Sequence, residues 1–488
     1  MRGLQMGRVL GIIKRDGAQR PRATERGRAP ESIGDTGDAK QAHMKESMTS
    51  GRPARSLLLF ALPIVLGNIF QQFYNIIDSM VVGNFVGEQA LAAVGASYAV
   101  TQLFIAIATG AGIGCSVIIS QLYGAGQMER MKSAVSTALL ATGALSLGLT
   151  GIGFLSSSGL LELMRTPGDI YGQAQTYLNI YFLGAVFLFF YNILTSVFNA
   201  LGESRIPLIF LLVSSLVNIA LDLWFVAGLG WGVAGAAWAT LIAQGVSCLL
   251  SFWVLRRRLA AIPAKAPYPR FSGDLLSKMC RVAVPSTVQQ SVVSVGMFLV
   301  QAVVNGFGSS VIAGYTAAIK IDSICILPMV SMGNAVSTFT AQNIGAGQIE
   351  RVRAGLRISM GVIAAISLPV TLALYLFGDR LVGLFLDAQS GGAAIAAGVE
   401  YLRVVSVFYI AMGAMKVAAS VLRGAGDIFY FMLATMANLG VRVALAYALS
   451  PVLGASAVWW AIPAGWAVGF AIAFFRYRTG RWRERRLI

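Results

Sequence analysis

The sequence predicts an all-α polytopic membrane protein with twelve transmembrane helices in two parallel six-helix lobes related by an internal repeat. Three observations predict it. Charged residues are 12% of the 488, about half of the roughly 25% usual in soluble domains. Uncharged runs such as Ser133–Leu161, Ile170–Gly202, Leu223–Leu255, Val282–Ile319, Ser323–Ile349 and Val443–Phe475 each exceed the about 20 residues that cross a bilayer. Shifting the chain on itself by 221 residues aligns Asn84–Arg130 with Asn305–Arg351 without a gap, with 14 identities in 47 positions.

Glycine and proline punctuation divides the runs into helices. The first covers 56–83, contains Pro63 and ends at Gly83. The second, 91–122, stops at the turn Gly124-Ala125-Gly126-Gln127, and the third covers 133–155. The fourth, 173–200, ends before Gly202, and the fifth follows at 207–228. The sixth, 233–255, meets Arg256–Arg258. Helices 7 to 12 follow at 279–303, 311–343, 354–378, 399–422, 428–450 and 455–476, with a second Gly-Ala-Gly-Gln turn from Gly345 after helix 8. These turns read as helix caps. A phosphate-binding role is disfavoured because no Gly-Lys-Ser/Thr follows.

Domain boundaries follow from the same pattern. Residues 1–55 hold twelve basic and six acidic residues and no apolar run fit for a signal peptide, so a disordered cytosolic extension is expected, the alternative being a chain that starts at Met44 or Met48. The first lobe is 56–255, a basic linker covers 256–278, the second lobe is 279–476, and 477–488 is a basic tail. An even number of helices per repeat returns the chain to its starting side. The lobes then share one orientation and enclose a central cavity, an arrangement suited to alternating access. Lys and Arg cluster in the loops after even-numbered helices, which predicts that both termini are cytoplasmic in a plasma (inner) membrane. The same distribution accounts for the net charge of +17 without a nucleic-acid partner.

The sequence excludes several chemistries. The four cysteines have no metal-like spacing, the one histidine is His43, and no metalloprotease or serine-hydrolase motif occurs. No enzyme activity, cofactor or obligate protein partner is expected.

The polar exceptions inside the apolar runs carry the functional reading. Asp78 is the only charge between Ser56 and Gly87, and an intramembrane carboxylate is costly enough to be functional by default. By helical rise it lies roughly 8 Å below the outer boundary. Asn218 and Asp222 are four apart, hence on one face of helix 5, and Thr240 of helix 6 lies at similar depth. Two carboxylates, an amide and a hydroxyl at one level make a proton or Na+ site of hard oxygen ligands; the alternative is hydrogen bonding between helices. The second lobe lacks this set, because Arg442 aligns with Asn218 and helix 7 carries Gln289 and Gln290 but no acid. Its buried charges are Lys320, Asp322, Lys416 and Arg442, with Lys320 and Asp322 on different helix faces. Gln71, Gln72, Gln289, Gln290, Lys320 and Met297 are the candidates for a substrate cavity.

Leu62-Pro63, the pattern in Phe-Gln-Gln-Phe-Tyr-Asn-Ile-Ile-Asp ending at Asp78, the paired Gly-Ala-Gly-Gln turns, and Asn-Ile-Ala-Leu-Asp-Leu-Trp-Phe from Asn218 together resemble the multidrug and toxic compound extrusion (MATE) family. The resemblance covers about 56–475 and is closest to the DinF-type branch. It implies that Asp78, Asn218, Asp222 and Thr240 form the coupling site and that helix 1 bends at Pro63. It further implies export of amphipathic, mostly cationic organic compounds in exchange for H+ or Na+. A lipid or lipid-linked saccharide flippase is the alternative, kept open by Lys320, Lys416 and Arg442.

Overall fold

The structure, a computed structural model, describes residues 48–264, 266–386 and 391–488. The expected extension over 1–55 lies, through residue 47, outside the described residues. Twelve spans follow: α1 Pro53–Phe85, α2 Glu88–Gly124, α3 Met128–Leu163, α4 Gly168–Ala200, α5 Arg205–Asp222, α6 Gly232–Ala261, α7 Gly273–Asn305, α8 Ser309–Cys325 with Leu327–Gly345, α9 Ile349–Gly383, α10 Gly391–Val407 with Tyr409–Ala425, α11 Ile428–Leu453 and α12 Ser456–Arg478. Lobe one is α1–α6 and lobe two is α7–α12. Where the basic linker is expected, the flanking helices overrun their expected ends: α6 runs to Ala261 and α7 starts at Gly273.

Two spans expected as single helices are broken. α8 bends by 40° and α10 by 51°. In α8 the second half starts at Leu327-Pro328, where the proline lacks an N–H and its ring displaces the preceding turn. The break in α10 has no proline. There Thr371 of α9 donates to the Ser406 carbonyl at 2.7 Å, supplying a partner that a continuous helix would have given.

Core packing assigns α1 to both lobes. Leu57, Phe60 and Ala61 at its start join the large core of lobe two, with Trp459, Tyr409 and Phe339. Val81 and Val82 at its far end pack with Val226, Val233 and Ala236 of lobe one. Asn68 between them donates to Ser331 of α8 at 2.9 Å. The chain just before α1 is also held to lobe two: Arg351 donates to the carbonyls of Met48 and Gly51 at 3.0 and 2.7 Å.

On the face that carries the arginine-rich loops, here the basic face, the lobes meet through the repeated turns. A Cβ on Gly124 would strike the Gln342 carbonyl, and one on Gly345 would strike the Gln121 carbonyl. Only glycine allows backbones this close. The first glycine of each Gly-Ala-Gly-Gln turn is therefore an interlobe contact. The second, Gly126 or Gly347, has the positive φ of a turn, as a cap requires.

The end of α12 is pinned by a buried ion pair. Arg476 Nε donates to Asp427 at 2.6 Å, with 5% and 4% of the two side chains exposed, and the guanidinium lies 4.1 Å from the Tyr430 ring centroid. Removing one member leaves the other charge buried and unpaired, which costs about 3–5 kcal/mol. Arg476→Met is therefore expected to lower Tm in a detergent thermal-unfolding assay. The double variant Arg476→Met/Asp427→Asn should recover part of the loss.

A candidate cation site and an interlobe cavity

The face that α5 buries is polar, the reverse of an amphipathic helix in water. Its buried residues are Phe210, Asn218 and Asp222, in register at i, i+8 and i+12, while Ile209 and Leu216 are exposed. Against α6 this face forms a ladder. Ser247 donates to the Phe210 carbonyl at 2.9 Å, Ser214 donates to the Ala243 carbonyl at 3.2 Å, and Asn218 meets Thr240 at 3.3 Å. In lipid, such side-chain bonds join helices that have no hydrophobic reason to associate.

The top rung of the ladder reaches Asp222. With its amide oriented to satisfy both ends, Asn218 donates to Asp222 Oδ2 at 2.8 Å and accepts from Thr240 N at 3.2 Å and Oγ1 at 3.3 Å; that orientation is assigned from the network. Immediately beyond, the chain passes into a π-helical turn, Leu223–Gly228, which widens the helix where Asp222 projects. Phe225 stacked on Trp231, with centroids 4.9 Å apart, fixes the reversal into α6.

Asp78 comes to this site from α1. Its carboxyl lies within hydrogen-bond reach of that of Asp222. Tyr74, one turn earlier, abuts Thr240, and Tyr177 of α4 shares a small cavity with Thr240 near the two carboxylates. Oδ1 of Asp78 and Oδ1 of Asp222 are buried and have no donor. The structure thus brings together all four residues expected at one depth, and adds Tyr74 and Tyr177. Tyr177 was not legible because nothing in the sequence says that α4 faces this point.

A cavity of about 370 Å³ lies between the lobes toward the basic face. α1 lines it from Phe60 to Gln71, including Pro63 and Asn68; α4 contributes Tyr191, Asn192, Thr195, Ser196 and Asn199; lobe two contributes Asn334, Ser337, Thr338 and Arg423. Arg423 donates to Ser337 and Asn334, both at 3.0 Å. Among the described residues no carboxylate lines the cavity. The α4 stripe was visible in the sequence as polar residues at helical spacing; Arg423 reads there only as a loop cation.

Of the residues expected at a substrate cavity, Gln71 lines this one and Gln72, Gln289, Gln290, Lys320 and Met297 do not. Helix register explains the outliers. α7 buries Ser286, Gln289, Gly296 and Val300, which leaves Met297 exposed. α8 buries Gly314, Tyr315, Ala317, Ala318 and Ile321, which turns Lys320 outward, with its Nζ 5.8 Å from the Phe385 ring centroid. Its neighbour Asp322 points inward and accepts from Tyr409 at 2.6 Å and from Tyr401 at 3.4 Å. Beside it Arg442 Nε is buried without a partner. Lobe two therefore has a buried acid and base of its own, in an aromatic setting.

Comparison with known proteins agrees with this geometry. The MatE family model matches residues 63–224 and 285–448, one stretch in each lobe. The chain is 32% identical over 442 residues to the probable multidrug resistance protein YpnP of Bacillus subtilis, covering 90% of this chain and 98% of that protein. It is 24% identical over 349 residues to the FAD transporter of Shewanella oneidensis, covering 70% and 76%. The solved outward-facing structure of a multidrug resistance MATE family transporter superimposes with a TM-score of 0.82 at 26% identity, over 90% of this chain and 98% of that one. Two matched halves, twelve spans and an interlobe cavity make this chain a member of the MatE family, a multi-pass membrane transporter of the multidrug efflux type.

Proposed function

We propose that the protein is a secondary antiporter that exports amphipathic organic compounds in exchange for an inward-moving ion, with Asp78, Asn218, Asp222 and Thr240 as the coupling site. The observation that carries this reading is the approach of two carboxyls inside the membrane, each with an oxygen that has no donor. Two like charges at that separation repel, so the arrangement holds only with a proton or cation between them. Asn218 donates to Asp222 and its oxygen is taken by Thr240, which leaves few free oxygens for Na+ and favours H+. The grouping matches the DinF-type branch. In this reading the basic face is cytoplasmic, the membrane is the plasma membrane, and 56–255 and 279–476 act as the two moving bodies.

The helix that carries Asp78 also lines the cavity. Asn68 and Asp78 are ten residues apart, about 15 Å along α1. Neutralising the carboxyl pair draws the far end of α1 toward α5, and Pro63, which lacks an N–H, lets the near end move separately. Ion and cargo then bind the two facing states with different affinities, the condition for either to shift the equilibrium.

The cavity lining favours a different cargo charge from the one the resemblance implies. Among the described residues Arg423 lines the cavity and no acid does, so neutral or anionic amphipaths, including phosphate-bearing headgroups, fit better than cations. A relative named for FAD transport, whose cargo carries phosphates, agrees with this second reading.

Three outcomes are expected in proteoliposomes with proton and sodium gradients imposed separately. Asp78→Asn should abolish coupled efflux at unchanged abundance, because it keeps the shape and removes the titratable group; wild-type rates with wild-type ion dependence would remove Asp78 from the mechanism. Asn218→Ala should lower the proton concentration for half-maximal transport by about tenfold or more, since the lost bond favours the charged Asp222 carboxylate by about 1.5–3 kcal/mol, and Thr240→Ala, which removes a bond to the Asn218 amide, should act in the same direction by less. A proton-coupled protein should do this with sodium absent, and its transport should weaken as the ion-donating side is made alkaline. Arg423→Gln should reduce efflux of an anionic dye more than efflux of ethidium; the reverse order would restore the cationic-cargo reading.

A further inference from the structure

The repeat places one glutamine of each lobe at the basic face, Gln121 and Gln342, and each reaches across. Gln121 Nε2 donates to the Gly424 carbonyl at 3.0 Å, and Gln342 Nε2 donates to the Ala200 carbonyl at 2.7 Å. The pseudo-symmetry then breaks. Among the described residues Gln342 Oε1 is buried with no donor, whereas Gln121 Oε1 accepts from the backbone N–H of Leu487 at 3.0 Å.

The segment that supplies this donor is built to span both lobes. It leaves α12 through a short 3-10 turn, Arg481–Glu484. Trp482 is fully buried in the core of lobe two, stacked on Tyr477 at 5.4 Å and donating to the Tyr477 carbonyl at 2.9 Å. Leu487 and Ile488 pack against a core built mostly from α2 to α6 of lobe one, with Leu275 and Met279 of α7. Leu487 also touches the small cluster of Val117, Val282 and Ile428, which draws on both lobes. Gly426 makes room for the crossing: its φ is +94, and a Cβ there would lie 2.7 Å from both the Arg485 carbonyl and Leu487 Cγ. At the equivalent Gly202 only the Gln342 amide comes within range, at 3.6 Å.

We propose that residues 481–488 are a strap, anchored in lobe two by Trp482, that clamps lobe one through Gln121 and Leu487 and must release them before the lobes part on the basic face. A segment that merely covered hydrophobic surface would pack on its own lobe. This one satisfies a buried acceptor of the other lobe, at the contact where the glutamines cross, and on one side of the pseudo-symmetry axis only.

The test is a distance measurement between the lobes by pulsed electron resonance. Nitroxides are placed at Arg130→Cys and Glu350→Cys, both exposed, with the four native cysteines replaced by serine. Deleting 485–488 keeps the Trp482 anchor and removes the clamp. Loss of one hydrogen bond and one half-buried leucine is expected to raise the ratio of long to short distances about tenfold. Leu487→Pro, which removes the N–H and keeps apolar bulk, should shift the ratio in the same direction by less. Arg486→Ala, on an exposed side chain, should leave it unchanged. Parental distance distributions in both clamp variants, with the proteins monodisperse and thermally intact, would overturn the proposal. So would a shift produced equally by Arg486→Ala.

Discussion

The approach of the Asp78 and Asp222 carboxyls within the membrane is the constraint around which lobe one is organised. Two carboxylates held together away from water require a network that fixes them, and the α5–α6 ladder supplies it. Asn218 is 1% exposed and Asp222 is 0% exposed, so the burial of this helix is spent on polar atoms while its apolar face meets lipid. The π turn after Asp222 and the stacked Phe225–Trp231 pair keep the carboxyl aimed at α1. Without that aim, Asp78 would be an isolated charge in hydrocarbon.

α1 links that point to the rest of the molecule. Its far end packs in lobe one and its near end in lobe two, and Pro63 and Gln71 between them line the cavity. One helix therefore touches the carboxyl pair, the cavity and both cores. Pro63 lies inside this one continuous helix and leaves a gap in its hydrogen-bond ladder.

At the basic face, duplication and divergence are both visible. Gly124 and Gly345, and Gln121 and Gln342, repeat one contact in each direction, as a pseudo-twofold relation between parallel lobes demands. Each glutamine offers a donor and an acceptor. The donors are used symmetrically, whereas the acceptor of Gln121 alone is satisfied, by the segment that follows α12.

The sequence by itself determined the membrane setting, the number of spans, the two-lobed duplication and the membership of Asp78, Asn218, Asp222 and Thr240 in one layer. These depend on charge scarcity, periodicity and the regular rise of a helix, all of which are local. Only the tertiary structure decided which faces meet. It divided α1 between the lobes, broke α8 and α10, turned Met297 and Lys320 away from the cavity, and brought in Tyr177, Arg423 and the α4 stripe. It also changed the first glycine of each repeated turn from a cap into an interlobe contact. The physical reason is that hydropathy reports whether a segment sits in the bilayer or in water, while helix rotation and partner choice are set by packing between segments hundreds of residues apart. Gln121 and Leu487 are 366 residues apart in the chain, and no local pattern announces their bond.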